Sequence, residues 1–209
     1  MMRILVVTGG IGSGKSKVCA ILEEVYGFPV YNADSRVKGL YESDPEMLDS
    51  IEEVLGQSFR TEDGKFSPSL LAGRIFSDEE DLAKVEQLVF PALVRDFKAW
   101  QAKAGNHDFI VFESATILEK EQFKGFGDVV MLVDAPIRLR LERACRRDSS
   151  SEDKVLARMS KQKLMNEFSE GIALPEVDVV IANTGDVEEL KVKVTECIDT
   201  LLDRNIDNN

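Results

Sequence analysis

Apolar residues along this chain keep two rhythms that alternate from end to end. Short runs rich in β-branched and aromatic residues stand at Arg3 to Val7, Pro29 to Tyr31, Phe109 to Phe112, Val129 to Val133 and Asp178 to Ala182. Runs this short and this continuous predict strands buried on both faces. Between them the spacing widens to three and four. Val18, Ile21, Leu22 and Val25 predict a helix that Gly27 closes, and Met47, Leu48, Ile51 and Leu55 predict one begun at Asp44-Pro45. Ser77 with Glu80 reads as a capping box ahead of Leu82, Val85 and Leu88, a run that Pro91 should break or kink. Leu190, Val194, Cys197, Ile198 and Leu201 form the stripe of a final helix. Strands alternating with helices predict an α/β fold with a parallel sheet wrapped on both sides. At 209 residues and 44% hydrophobic content, the chain suits one such domain, 1–209. The helical stretch 35–105 is long enough for a subdomain within it.

The first strand runs straight into Gly9-Gly10-Ile11-Gly12-Ser13-Gly14-Lys15-Ser16, which fits G-x-x-x-x-G-K-[ST], a phosphate-binding loop. Glycine lets the backbone turn its N–H groups inward and approach a phosphate with no Cβ in the way. The helix that follows adds its positive N-terminal end to the anion site. Lys15 would reach the terminal phosphates of a nucleotide, and the Ser16 hydroxyl would ligate Mg²⁺. Strand, loop and helix stand in the order the motif requires.

Charge changes the picture in two ways. The net charge of -12 argues against nucleic acid or an anionic membrane as partner. No run is long enough for a signal-peptide core or a membrane span. Cys19, Cys145 and Cys197 are odd in number and far apart, so neither a disulfide framework nor a zinc site is predicted, and a cytoplasmic protein is. Against this acidity, five arginines crowd into Pro136 to Asp148. Arg140, Arg143 and Arg147 share one helical face, with Leu141 and Cys145 toward the core. Such a run can be a solvated basic face. It follows a strand at the ligand-binding edge of the sheet, however, and precedes the polar stretch Asp148 to Asp153, which reads as a mobile lid. Arginines there would neutralise charge on a phosphoryl group in flight.

Among the acids, Asp134 and Glu113 both end strands. Asp134 is either a metal-orienting acid or a helix cap ahead of Pro136 at the first helical position. Glu113 either holds Mg²⁺ through water or makes a structural salt bridge. Asp34 follows the second strand, and is either a base for a hydroxyl acceptor or the cap of a helix begun near Ser35. Glu119 to Glu121 reads as solvated surface. His107, the one histidine, lies in the polar turn 105–108. No serine–histidine or cysteine–histidine arrangement is visible, nor is the N-K-x-D motif of a GTPase.

Taken in order, several segments resemble the dephospho-coenzyme A kinase family over nearly the whole chain. They are TGGIGSGKS, VYNAD at Val30 to Asp34, EDGKFS with LLAGRIF between Glu62 and Phe76, RRDSSSEDKVLARMSKQ from Arg146 to Gln162, and VDVVIANTGD from Val177 to Asp186. The resemblance implies a P-loop kinase fold: a five-stranded parallel sheet flanked by helices, a helical acceptor-binding subdomain and a small lid with its following helix at 146–162. It implies transfer of the γ-phosphoryl of ATP, with Mg²⁺, to the ribose 3′-hydroxyl of dephospho-coenzyme A. Gly10, Ile11, Gly12, Ser13, Gly14, Lys15, Ser16 and Lys17 would wrap the ATP phosphates, Arg143 and Arg147 would close over them, and Asn183 would border the adenine. Asp34, Lys38 and Glu113 would face the acceptor, and Asp34, Lys15 and Arg147 would carry the chemistry. The chain departs from the family pattern at Lys17, Asn32, Lys38, Pro68, Phe90 and Glu113-Ser-Ala-Thr116. The alternatives are another P-loop kinase of small molecules or nucleotides, and a catalytically silent ATP-binding module.

Overall fold

The computed structural model, which describes residues 2–75 and 77–206, sets the five apolar runs side by side. Strands β1 (Arg3–Thr8), β2 (Val30–Asn32), β3 (Phe109–Glu113), β4 (Val129–Asp134) and β5 (Val179–Ala182) pair in the order β2-β3-β1-β4-β5, all parallel. Each bound lies within a residue of the sequence expectation. The chain leaves β1 toward β2 on one side and leaves β4 toward β5 on the other. That reversal opens a crevice at the carboxyl ends of β1 and β4, where ligands bind in open α/β sheets.

Two compact units make up the chain. The sheet unit comprises the residues up to Asn32 and those from Asn106 onward. Its helices are α1 (Lys15–Tyr26) and, after the helices of the other unit, α6 (Ile137–Asp148), α7 (Glu152–Met159), α8 (Lys163–Ser169) and α9 (Val187–Ile206). Alternate strand residues supply two faces. On one, Leu5, Val7, Val111, Met131 and Val133 bury against Val18, Ile21 and Leu22 of α1 and Leu190, Val194 and Ile198 of α9. Cys19 joins this core, whereas Val25, expected in the stripe, is 41% exposed. The helix ends one residue later, at Tyr26, capped by Gly27, whose left-handed φ of 66° lets its N–H close on the Glu23 carbonyl. On the other face, Leu132 packs with Met165 and Leu174, and Phe112 meets the rings of Phe123 and Phe126. Among the described residues, no helix is long and apolar enough to cross a membrane.

The second unit, Ala33–Gly105, is helical: α2 (Ala33–Ser43), α3 (Pro45–Leu55), α4 (Pro68–Ile75) and α5 (Glu79–Gln101). Asp44 caps α3 by accepting from the Met47 N–H at 3.0 Å, and Pro45 fills the first helical position. Met47, Leu48, Ile51 and Leu55 are all buried, as their spacing requires, and α3 packs on α5.

Two expectations need correction here. Asp78, not Ser77, caps α5: its carboxylate takes the Glu80 and Asp81 N–H groups at 2.9 and 3.2 Å. The Ser77 hydroxyl turns back and donates to the Gly73 and Arg74 carbonyls at the end of α4. Nor does Pro91 break α5, which runs through it for 23 residues. Pro91 is exposed, so the carbonyl left without its N–H partner on that face is open to water, while Val89, Ala92 and Leu93 bury on the other. Phe76, at the end of the segment quoted above, lies outside the described residues.

Ile51 is fully buried in this unit, and Ile51→Ala leaves a cavity where α3 faces its neighbours. Unfolding in urea should show a loss of about 2–5 kcal/mol; a loss below about 1 kcal/mol would contradict the packing described.

Candidate active site

The glycines between β1 and α1 are required by close approach as much as by turning. A Cβ on Gly9 would overlap the Val133 carbonyl, one on Gly12 the Arg140 carbonyl, and one on Gly14 the Asn183 side-chain amide. Gly12 and Gly14 also have φ of 76° and 103°, a region that favours glycine. The loop therefore fits only because these three positions carry no side chains. It ends at the N-terminus of α1, whose first N–H groups have no partner within the helix and face the site as an anion-binding end. The Lys15 ammonium folds back over the loop and donates to the Gly9 and Gly10 carbonyls at 2.9 and 3.3 Å.

Three buried side chains from distant parts of the sequence grip the loop. The Ile11 N–H donates to Gln162 Oε1 at 2.8 Å, and the Ile11 carbonyl accepts from Arg140 Nε at 3.1 Å. Asn183 Nδ2 donates to the Ser13 carbonyl at 2.8 Å. Gln162 is 5% exposed, Arg140 3% and Asn183 6%. The Ile11 side chain packs against the cluster of Ala144, Val155 and Met159 from α6 and α7. Ile11 thus has its amide, carbonyl and side chain engaged by the protein, and it shapes the loop. Arg140, expected from its helical face to meet a phosphoryl group with Arg143 and Arg147, is instead buried and spends its Nε on the Ile11 carbonyl. Its heptad-like spacing from Arg147 was the available signal, but spacing alone does not tell a buried arginine from a solvated one. Burial lowers its pKa, and the nearby Asp134 partly offsets this.

Glu113 ends β3 between Val7 and Asn32, its register partners on either side. It is 6% exposed. Its Oε1 accepts from Ser16 Oγ at 2.8 Å, and its Oε2 from Asn32 Nδ2 at 2.6 Å. The Cys19 thiol hydrogen-bonds the same carboxylate; burial, then that charge, pushes its pKa well up, so it stays protonated. Asn32 is therefore a neutral donor to a carboxylate that an acid in its place would repel. Ser16 and Glu113 together present hard oxygen donors of the kind Mg²⁺ selects.

The remaining candidates separate. Asp134 lies within β4 and does not cap α6: Pro136 takes the cap position, outside the helix, and provides no side-chain cap. Asp134 instead supports Arg140 electrostatically. Arg143 donates to the Asn183 carbonyl at 3.2 Å, at the rim of the loop. Arg147 is exposed and held by Asp148. Of the expected lid, Asp148 to Asp153, only the three residues 149–151 lie outside α6 and α7, with Ser149 at φ 49°. Asp34 and Lys38 are exposed on α2. Asp34 is the second residue of that helix, which starts at Ala33 rather than at Ser35, so it is not the cap. Glu119 is only half-exposed, and its carboxylate accepts from the Leu164 N–H at 3.4 Å. His107 precedes β3 at the amino edge of the sheet, opposite the loop.

A family model described as dephospho-CoA kinase matches residues 3–189. A dephospho-CoA kinase of Porphyromonas gingivalis is 38% identical over 157 residues, 75% of this chain and 76% of the relative. A crystal structure from Thermus thermophilus superimposes with a TM-score of 0.79 at 27% identity, covering 97% of each chain. A dephospho-CoA kinase from Campylobacter jejuni gives a TM-score of 0.65 at 20% identity, covering 98% of this chain and 100% of that one. At that identity it shows the fold alone, a parallel sheet flanked by helices.

Gln162→Ala removes the acceptor of a buried N–H. The variant should lose about 1–3 kcal/mol of stability, the cost of an unsatisfied buried donor. Gln162→Glu, which keeps an acceptor, should lose less. Equal melting temperatures for wild type and Gln162→Ala would show that the grip on Ile11 contributes nothing.

Proposed function

The chain belongs to the dephospho-CoA kinase family, and from that premise we propose that it moves the γ-phosphoryl group of ATP to the ribose 3′-hydroxyl of dephospho-coenzyme A, the last step of coenzyme A synthesis. The observation that carries this is the loop itself. Its glycines fit only without side chains, its backbone is fixed by buried partners, and Lys15, Ser16 and Glu113 gather on it.

Transfer of this kind is catalysed by positioning and by charge placed where it develops. The amides of Gly12, Gly14, Lys15 and Ser16 receive the phosphates, while Gly10 and Ser13 shape the turn through the Ser13 N–H to Gly10 carbonyl bond at 3.1 Å, and Lys17 continues into the helix that backs the site. Lys15 leaves the loop carbonyls for the terminal phosphate oxygens. Ser16 and Glu113 would hold Mg²⁺, which supplies neutralisation of phosphate charge when bound. Arg143 and Arg147 meet the charge that moves to the leaving ADP, and Asn183 borders the adenine. Asp34 accepts the 3′-hydroxyl proton as the new O–P bond forms and the bond from the γ-phosphorus to the bridging oxygen breaks. Lys38 on the same helix would meet the acidic acceptor. The helical unit 33–105 is the acceptor side in this proposal, and 146–162 the lid side. A cytoplasmic setting is part of it, supported by three cysteines that are all free thiols.

The test is ADP release with ATP, Mg²⁺ and dephospho-coenzyme A, with pantetheine and nucleoside monophosphates as comparison acceptors. Dephospho-coenzyme A alone should give turnover, and equal rates with a nucleoside monophosphate would assign a different acceptor. Lys15→Ala should lower turnover far more than stability, because its contact strengthens in the transition state. Undiminished turnover would sink the role given to the loop. Asp34→Asn should keep normal stability and near-normal ATP binding while turnover drops by about 10²–10⁴, the worth of a positioned base. Wild-type turnover in that variant would remove Asp34 from the mechanism.

A further inference from the structure

The arginine row on α6 runs outward from the loop. Arg140 holds Ile11, Arg143 holds the Asn183 carbonyl, and Arg147 lies seven residues from Arg140, about 10 Å along the helix axis. Arg147 is bound side-on by Asp148, Nε to Oδ1 at 2.7 Å and Nη2 to Oδ2 at 3.1 Å. Arg158, from α7, reaches the same Oδ2 at 2.5 Å. The left-handed Ser149 turns the chain back so that Val155 and Met159 pack on Ala144, and this packing delivers Arg158 to the end of α6. Two guanidiniums from two helices therefore converge on one carboxylate. Cations this close repel unless an anion lies between them. The hydrogen bonds from Arg147, then those from Arg158, hold the Asp148 carboxyl well below the usual range. A phosphate offers an arginine fork the same pair of oxygens as a carboxylate, and carries more charge.

We propose that Arg147 and Arg158 form a two-arginine site for a phosphate of ATP, and that Asp148 is an internal competitor that fills this site between turnovers. The proposal rests on the phosphotransfer function above and adds two residues to it. Arg158 becomes a phosphate-binding residue in its own right. Asp148 keeps both arginines aligned at the end of α6, and gives them up in exchange for the stronger anion. In a chain of net charge -12, a carboxylate in this position also keeps unrelated weak anions off the site. If Asp148 served only to staple α6 to α7, its neutralisation would lower stability and leave nucleotide affinity alone.

The two roles part in calorimetric titration of the full chain with Mg·ATP. Asp148→Asn keeps the shape and one acceptor but removes the competing charge. It should bind ATP roughly two- to five-fold tighter, the worth of an exposed ion pair. Arg158→Ala should bind about ten-fold more weakly, as expected for loss of a charge-assisted hydrogen bond. Arg158→Lys should remain weaker than wild type because lysine lacks the fork, and the double variant should lose the gain made by Asp148→Asn. Unchanged or weaker ATP binding in Asp148→Asn overturns the proposal. Should that variant fail to fold, wild-type affinity in both Arg158 variants overturns it equally. Titration with tripolyphosphate keeps the two proposals apart. Tighter tripolyphosphate binding by Asp148→Asn with no ADP release by wild type would sink the acceptor assignment and uphold this one. Normal ADP release with flat affinities would do the reverse.

Discussion

Everything at the candidate site depends on the fixed orientation of one peptide segment, Gly10 to Ser13. A phosphate-binding loop works because its amides already point where charge will be, so that no reorganisation is needed when the anion arrives. Glycine-rich backbone does not stay in such a conformation unaided, since glycine loses more freedom on folding than any other residue. Here the order comes from outside the loop. Gln162, Arg140 and Asn183 reach it from three elements, and each is a buried polar group that would be costly without this partner. The dependence is mutual: the loop satisfies the side chains, and the side chains hold the loop.

The same logic runs through the electrostatics. A strongly acidic chain has to build a site for an acidic nucleotide, so its cations are placed locally and its nearest acids are engaged. Glu113 is surrounded by donors from Ser16, Asn32 and Cys19. Asp134 supports the buried Arg140. Arg143 stays at the rim with a backbone carbonyl as partner. Positive charge is thus concentrated along one face of α6, while the acids of the neighbouring strand ends are hydrogen-bonded or act as counter-charges.

Much of the fold was legible because its signals are local. Continuous apolar runs marked the strands to within a residue, and the Asp44-Pro45 start and Gly27 stop are written in residue types with one conformational use. The misassignments came where two residues compete for one role. Ser77 and Asp78 are adjacent capping residues, and the extended backbone at Asp78 decides between them. Pro91 is tolerated because it falls on the solvent side of α5, which periodicity centred on Leu82 and Leu88 did not reveal. At the site, motif spacing located Lys15 and Ser16, whereas the partners of the loop backbone were invisible. A side chain that grips a carbonyl 129 residues away leaves no pattern near either end. Arg140 sat among five arginines of equal appearance, and only packing distinguished it.

The strand order carries a consequence for how the molecule is made. β1, which delivers the phosphate loop, sits in the middle of the sheet, and both its neighbours, β3 and β4, lie beyond residue 108. The helical unit is inserted between β1 and those neighbours. During synthesis, β1 must therefore wait, unpaired, through about a hundred residues until β3 has emerged. The helical unit, whose contacts are close in sequence, completes its own hydrogen bonds meanwhile. Exposed strand edges in nascent chains are prone to intermolecular pairing. The order of emergence thus makes the strand that carries the glycine loop the one that waits longest for a partner, with both its edges open until β3 and then β4 arrive.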